Sequence, residues 1–261
     1  MIQKRFLDAW RYEQAPWPTS SMVEQDLIIS KALVDLYNHP TVREKLVFRG
    51  GTALNKLFLR PAARYSEDID LVQTKAEPIG ETLNAIRGVL DKWLGKPKRK
   101  LTERSVKLVY YYQTNEDLQA KLKIEINTTE HYHVFEHIKV PFNVASEWFS
   151  GKAQITTCQL DELMGSKLRA LYQRSKGRDL FDLWFLLSKQ MLDVKKVIKV
   201  FKAHGVYTKQ VVTKEMFEKN LLEKANNKNF RNEITNLIDK SANWDFDGAY
   251  KNISTNIIAN L

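Results

Sequence analysis

Two aspartates separated by one residue, Asp68 and Asp70, have the types and spacing that most directly suggest chemistry in this chain. They fall in DIDLVQ (68–73), where acids alternate with the apolar Ile69 and Leu71, the period-two pattern of a strand. Residues two apart in a strand point to the same face, so the two carboxylates are expected side by side. Like charges that close are costly unless a cation lies between them. Mg²⁺ takes one or two carboxylates plus substrate phosphates. The pair therefore suits a Mg²⁺–nucleotide site, with Mn²⁺ as the alternative ion. On its own, D-x-D more often describes an exposed strand with two solvated acids.

The surroundings strengthen the metal reading. Gly50 and Gly51 lie between a predicted strand, LVFR (46–49), and a predicted helix, GGTALNKLFL (50–59). Glycines there let backbone N–H groups approach a phosphate at a helix start, and Thr52 adds a hydroxyl. A tight turn needing a positive φ is the plainer account, and the two are compatible. A third acid lies in LKIEIN, where Ile124 and Ile126 face one way and Glu125 the other, with Lys123 and Asn127. A strand beside 68–73 would bring Glu125 near the aspartates. Three carboxylates around one or two metals would hold a triphosphate and activate an attacking hydroxyl. The plainer account of Glu125 is an exposed position on a half-buried sheet.

The elements that must hold these residues follow from the pattern. Ser21 and Glu24 form a capping box ahead of Leu27, Ile28, Ala32, Leu33 and Leu36, which predicts an N-terminal helix. A second amphipathic helix is predicted over 79–94, ending near Gly95 and Pro97. SVKLVYYYQ (105–113) and LQAKLKIEIN (118–127) flank Asn115-Glu116-Asp117 and read as a hairpin. An extended region is expected at about 132–143, with Pro141 suited to an edge or an end, and another short strand at QITTCQL (154–160). From Asp161 the pattern is helical almost to Leu261. Strands first and helices after predict an α+β fold: a mixed-sheet domain over 1–160 with flanking helices, then a helical region over 161–261.

Composition bounds the partners. The chain has 261 residues, 43% of them hydrophobic, enough for one large or two small domains with a packed core. Its single cysteine, Cys158, excludes an internal disulfide and a multi-cysteine zinc site. A reducing, cytoplasmic setting is expected. No apolar run is long enough to span a bilayer, so no membrane partner is expected, and the charged N-terminus does not read as a secretory signal. The net charge of +10 and pI of about 9.4 favour polyanionic partners. Lys96, Lys98, Arg99, Lys100, Arg104 and Lys107, and separately Lys195, Lys196, Lys199 and Lys202, read either as solvated surface or as phosphate-tracking patches. Tyr110, Tyr111 and Tyr112 are expected to pack on the sheet, with base stacking as the second reading. His131, His133 and His137 lack the accompanying ligands of a metal site.

The strings FRGGTALNKLFL…RYSEDIDLV, KIEIN and DELMGSKLRALYQRSKGRDLFDLWFLL resemble the AbiEii/AbiGii nucleotidyltransferase toxins, which include the MenT-like toxins, within the polymerase-beta-like superfamily. The resemblance covers about residues 45–190; one departure is Thr52 where the broad pattern has Ser. It implies a nucleotidyltransferase fold and transfer of a nucleotide from an NTP to an acceptor, with the tRNA 3′ end expected. It also implies the toxin half of a bacterial toxin–antitoxin or abortive phage-infection pair, whose antitoxin is a separate transcriptional regulator. Ser66 matches the polar residue before the acidic pair. Lys167 matches a lysine that contacts the nucleotide phosphates. Asp179 matches the acid of an R-D stretch with Arg178 and Asp182 as neighbours, and either Asp179 or Asp182 fits the functional acid. The residues alone make Lys167, Arg169, Arg174, Lys176 and Arg178 a basic cluster on and after one helix, and such a cluster is commonly a solvated face. Two other classes stay open: transfer to a protein hydroxyl, and a catalytically silent nucleotide- or RNA-binding module.

Overall fold

The computed structural model describes residues 2–238 and 243–261 and divides into two compact units. The first comprises Met1–His131 and His137–Cys158, the second Tyr132–Glu136 and Gln159–Leu261.

The first unit runs α1 (Lys4–Glu13), α2 (Ser20–Asn38), α3 (Pro40–Lys45), β1 (Leu46–Arg49), α4 (Gly50–Ala53), β2 (Asp68–Gln73), α5 (Gly80–Leu94), β3 (Lys98–Leu101), β4 (Ser105–Gln113), β5 (Gln119–Asn127), β6 (Ile138–Ala145) and β7 (Ser150–Thr157). Among the described residues the strands form one seven-stranded mixed sheet in the order β3-β4-β5-β2-β1-β7-β6. β2 pairs antiparallel with β1 and parallel with β5. Alternation decides which face is core: Ile69, Leu71, Leu108, Tyr110, Leu122, Ile124 and Ile126 are buried. Leu27, Leu33, Leu36 and Tyr37 of α2 are buried at helical spacing. Each such side chain contributes roughly 1.5–3 kcal/mol by leaving water.

Several local expectations need correction. α2 is capped by Thr19, whose hydroxyl accepts the Met22 N–H at 3.2 Å. The helix thus begins one residue before Ser21, and Glu24 is buried, accepting the Asn115 N–H at 2.9 Å instead of closing a capping box. The helix at Gly50 gives way after Ala53 to a π-helical turn over Leu54–Phe58. In that turn Lys56 reaches buried Asp26 at 2.6 Å, which also accepts from the indoles of Trp10 and Trp17. The basic stretch at 98–101 is exposed, as the solvated-surface reading has it, but it forms an edge strand. β6 starts at Ile138, because Val134 and Phe135 donate their N–H groups to Glu162 in the second unit and are lost to the ladder. β7 begins at Ser150.

The second unit contains α6 (Leu160–Gln173), α7 (Gly177–Ser188), α8 (Val194–Tyr207), α9 (Lys214–Ala225), α10 (Lys228–Asn232), a 3₁₀ turn at Glu233–Asn236, α11 (Phe246–Asn256) and a 3₁₀ turn at Ile258–Asn260. Residues 239–242 of the predicted helical stretch lie outside the described residues. α6 ends at Gln173, so Lys167, Arg174 and Arg178 do not share one helix face. No helix among the described residues is long and apolar enough to cross a membrane.

Candidate active site

The acidic pair sits where three strands meet. Asp70 lies opposite Arg49 of β1 on one side and opposite Glu125 of β5 on the other, and Asp68 lies opposite Lys123. The parallel register thus brings Glu125 beside the aspartates on the face away from Ile69 and Leu71. Lysines are interleaved with these acids. Lys123 Nζ is 2.7 Å from Asp68 Oδ2 and 3.7 Å from Glu125 Oε2. Lys107 Nζ is 3.0 Å from Glu125 Oε1, to which the Ser105 hydroxyl also donates at 3.1 Å.

This pattern splits the carboxylates electrostatically. Burial works to raise Glu125, but the Lys107 ammonium, the Ser105 hydroxyl and Lys123 hold it below the ordinary glutamate value. Asp70 is raised, first by burial and then by the Asp68 charge, with Arg49 and Lys123 opposing. Among the described residues no ion pair holds Asp70.

The Gly50-Gly51 turn packs directly on the aspartates. Gly50 has φ +81°, and a Cβ there would lie 2.5 Å from Asp70 Oδ2. A Cβ on Gly51 would lie 2.4 Å from Nη2 of the buried Arg64. The Thr52 hydroxyl is engaged within the turn, donating to the Asp68 carbonyl at 2.5 Å and bonding the Ser66 hydroxyl at 2.8 Å. Asn55 Oδ1 accepts the N–H groups of Ala63 and Arg64, fixing the segment that leads into β2.

Two aspartates on one strand face, one of them crowded by like charge, are a donor set of the hard-oxygen type that suits Mg²⁺ together with phosphate oxygens. Among the described residues, no group of three or more His, Cys, Asp or Glu is gathered to hold an ion. Glu125 is instead bound by lysine. His131 bonds the Gln73 carbonyl through Nδ1 at 2.9 Å.

The second unit holds a separate buried ionic cluster. Lys167 Nζ is 3.2 Å from Asp179 Oδ1 and 3.1 Å from Asp182 Oδ2. Arg174 grips Asp179 with two bonds, Nε to Oδ2 at 2.7 Å and Nη2 to Oδ1 at 3.0 Å. Both candidate acids therefore touch Lys167. Although burial raises it, Asp179 is brought down to about 2 by Lys167 and Arg174. Arg178 turns to Glu233, which lies 3.7 Å from its Nη1 and accepts its backbone N–H.

Sequence reasoning missed Arg64, Ser105, the tie between Thr52 and Ser66, and the contact of Lys107, read there as part of a basic patch, with Glu125. The alternation that placed Lys123 with Glu125 carried a signal for the lysines: position 107 has the parity that faces Glu125 once the hairpin register is set.

The seven-stranded mixed sheet and the helices that follow it match a nucleotidyltransferase fold. The nucleotidyl transferase AbiEii toxin family of type IV toxin–antitoxin systems matches residues 31–252, and the chain belongs to that family. In structure it is similar to MenT4, the nucleotidyltransferase toxin Rv2826c from Mycobacterium tuberculosis H37Rv. That match has a TM-score of 0.72 and 17% identity over 100% of this chain and 91% of the other. An antigenic nucleotidyltransferase-like protein from Paracoccidioides brasiliensis aligns at a TM-score of 0.39 and 16% identity, covering 61% of this chain and 73% of that one. No curated protein sequence gives a significant match.

Proposed function

We propose that this toxin transfers a nucleotide from an NTP to the 3′ end of an RNA, with tRNA as the acceptor, in the cytoplasm. The observation that carries the reading is the Asp68–Asp70 pair on β2, packed against the Gly50-Gly51 turn. Asp68 and Asp70 would hold a divalent ion, Mg²⁺ being the natural choice and Mn²⁺ the alternative. Such an ion supplies charge neutralisation on the phosphate oxygens. Gly50, Gly51, Thr52 and Ser66 form the turn that receives the nucleotide. The acceptor hydroxyl attacks the α-phosphorus, a new P–O bond forms, the bond to the bridging oxygen breaks and pyrophosphate leaves.

The hydroxyl proton needs an acceptor, and the two carboxylates opposite one another are unequal. Asp70, as a holder of the ion, is not free to take that proton, so Glu125, opposite it and oriented by Lys107 and Ser105, is the carboxylate assigned to the task. Lys167, held in the second unit by Asp179 and Asp182, is the lysine for which the family resemblance implies a phosphate-binding role. The surplus of positive charge favours an acceptor that is itself a polyanion. A separate antitoxin that also regulates transcription completes the pair.

The test is purified protein with Mg²⁺, each labelled NTP in turn, and total tRNA. Label is expected on the 3′ end of tRNA, with transfer falling as salt rises. Label on protein alone, for all four NTPs, would replace this reading with transfer to a protein hydroxyl.

A further inference from the structure

The sheet register extends the acidic site into a row that runs to the edge of the molecule's first unit. From β2 outward, Asp70 is opposite Glu125, Glu125 is opposite Lys107, and Lys107 is opposite Lys100 of the edge strand β3. The next row runs from Asp68 to Lys123, Val109 and Lys98. A third pairs Tyr111 with Lys121. Directly opposed residues share a face, and this is the face away from the buried Leu108, Leu122 and Ile124. Lys98, Lys100, Tyr111 and Lys121 are exposed on it.

The lysines nearest the acids are occupied by them, and those farther out are not. Lys107 and Lys123 bind Glu125 and Asp68. Among the described residues, Lys100 and Lys121 form no ion pair. Lys98 lies 5.0 Å above the ring of Tyr111, which is 40% exposed. From β2 to β3 is three strand spacings, about 14 Å. That is room for a few nucleotides, with ammonium groups for phosphates and one ring for a base.

We infer that this sheet face is the track for the acceptor strand: Lys98, Lys100 and Lys121 hold the phosphates of a single-stranded RNA 3′ end, Tyr111 stacks on a base, and the terminal hydroxyl arrives at Asp68 and Asp70. Surfaces that bind single strands without sequence readout combine cationic side chains along the backbone with aromatic rings for the bases, and exposed lysines with one tyrosine stand here on one row system ending at the carboxylates. The inference rests on the transfer reading for its direction, but the surface itself is testable without transfer.

The experiment measures binding of a labelled tRNA pool to the full chain by fluorescence anisotropy, for the wild type, the triple variant Lys98→Ala/Lys100→Ala/Lys121→Ala, and the matching triple Lys→Arg variant. These residues are exposed and outside the carboxylate cluster, so the fold is expected to survive, checked by circular dichroism. The alanine variant should bind RNA about tenfold more weakly or worse, and its slope of log affinity against log salt should shrink by about 2, roughly 0.7 for each lost phosphate contact. The arginine variant should bind as the wild type does. In the transfer assay the alanine variant should raise KM for tRNA and leave KM for NTP unchanged. Wild-type affinity and salt slope in the alanine variant would overturn the inference and leave these lysines as solvated surface. A rise confined to KM for NTP would also overturn it, placing the lysines on the triphosphate. If the wild type labels no RNA with any NTP, the transfer reading falls, and the anisotropy comparison still decides the surface.

Discussion

Gly50 leaves open the space that the Asp70 carboxylate occupies: a Cβ on Gly50 would lie 2.5 Å from Asp70 Oδ2, and the glycine has φ +81°. Gly50→Ala therefore carries two penalties, a left-handed backbone costing of order 1–3 kcal/mol and displacement of a carboxylate from the reaction centre. Transfer should fall about 100-fold, in keeping with loss of an aligned electrostatic group, with a modest drop in Tm. A Gly50→Ala protein with wild-type kcat would show that Asp70 need not stand where it does.

The two aspartates should separate in a stability assay. Burial and the Asp68 charge disfavour ionised Asp70, so Asp70→Asn in metal-free protein should hold or raise the Tm. Asp68 anchors Lys123 at 2.7 Å, so Asp68→Asn frees an ammonium and should lower the Tm slightly. Both variants should lose transfer. Glu125→Gln should lose less. Thermal melts in chelator, set beside initial rates, check this; near wild-type activity in either aspartate variant would move the site elsewhere.

Much of this arrangement could be read in the sequence. Ile69 and Leu71 alternating with the aspartates, and Ile124 and Ile126 with Glu125, gave both strands and their faces, because a half-buried sheet imposes period two. Parity cannot say which strands neighbour which, so the opposition of Asp70 and Glu125 was a conditional expectation until the register was known. β3 was hidden because Lys98-Arg99-Lys100-Leu101 has no buried side to write a pattern. The capping box failed on a tertiary contact: Glu24 is taken by the Asn115 N–H. Arg64 was invisible, since nothing local announces that a guanidinium will pack on Gly51.

Lys167 should matter to the fold as well as to the reaction. It is 8% exposed and sits between two buried carboxylates. Lys167→Ala removes one partner of a buried ionic cluster, a change that costs about 3–5 kcal/mol, and transfer should fall roughly 100-fold. Denaturant melts give the first figure, and rates measured well below the variant's Tm give the second. An unchanged melt would mean that the cluster does not bind the second unit together; an unchanged rate would remove Lys167 from the phosphates.

Asp179 gives a pH signature. Its carboxyl is at about 2 in the folded chain against an ordinary 3.8. The folded state therefore binds this proton less tightly than the unfolded state. The stabilisation is complete above the unfolded value and is lost as pH falls from near 4 through 2. The shift corresponds to about 2 kcal/mol. Denaturant unfolding of the wild type and Asp179→Asn at pH 5, 3 and 2 should show their difference shrinking by that amount. A difference that stays constant across the range would contradict it.

The two borders of the sheet bear on how this protein behaves in a crowded cell. β3 closes one side with Lys98, Arg99 and Lys100 fully exposed, and β6 closes the other with Pro141 opposite Gln154. A strand from another molecule would meet like charge at the first border and a missing N–H donor at the second. Both open ends of the ladder thus resist lateral strand addition, the route by which sheets of separate molecules join.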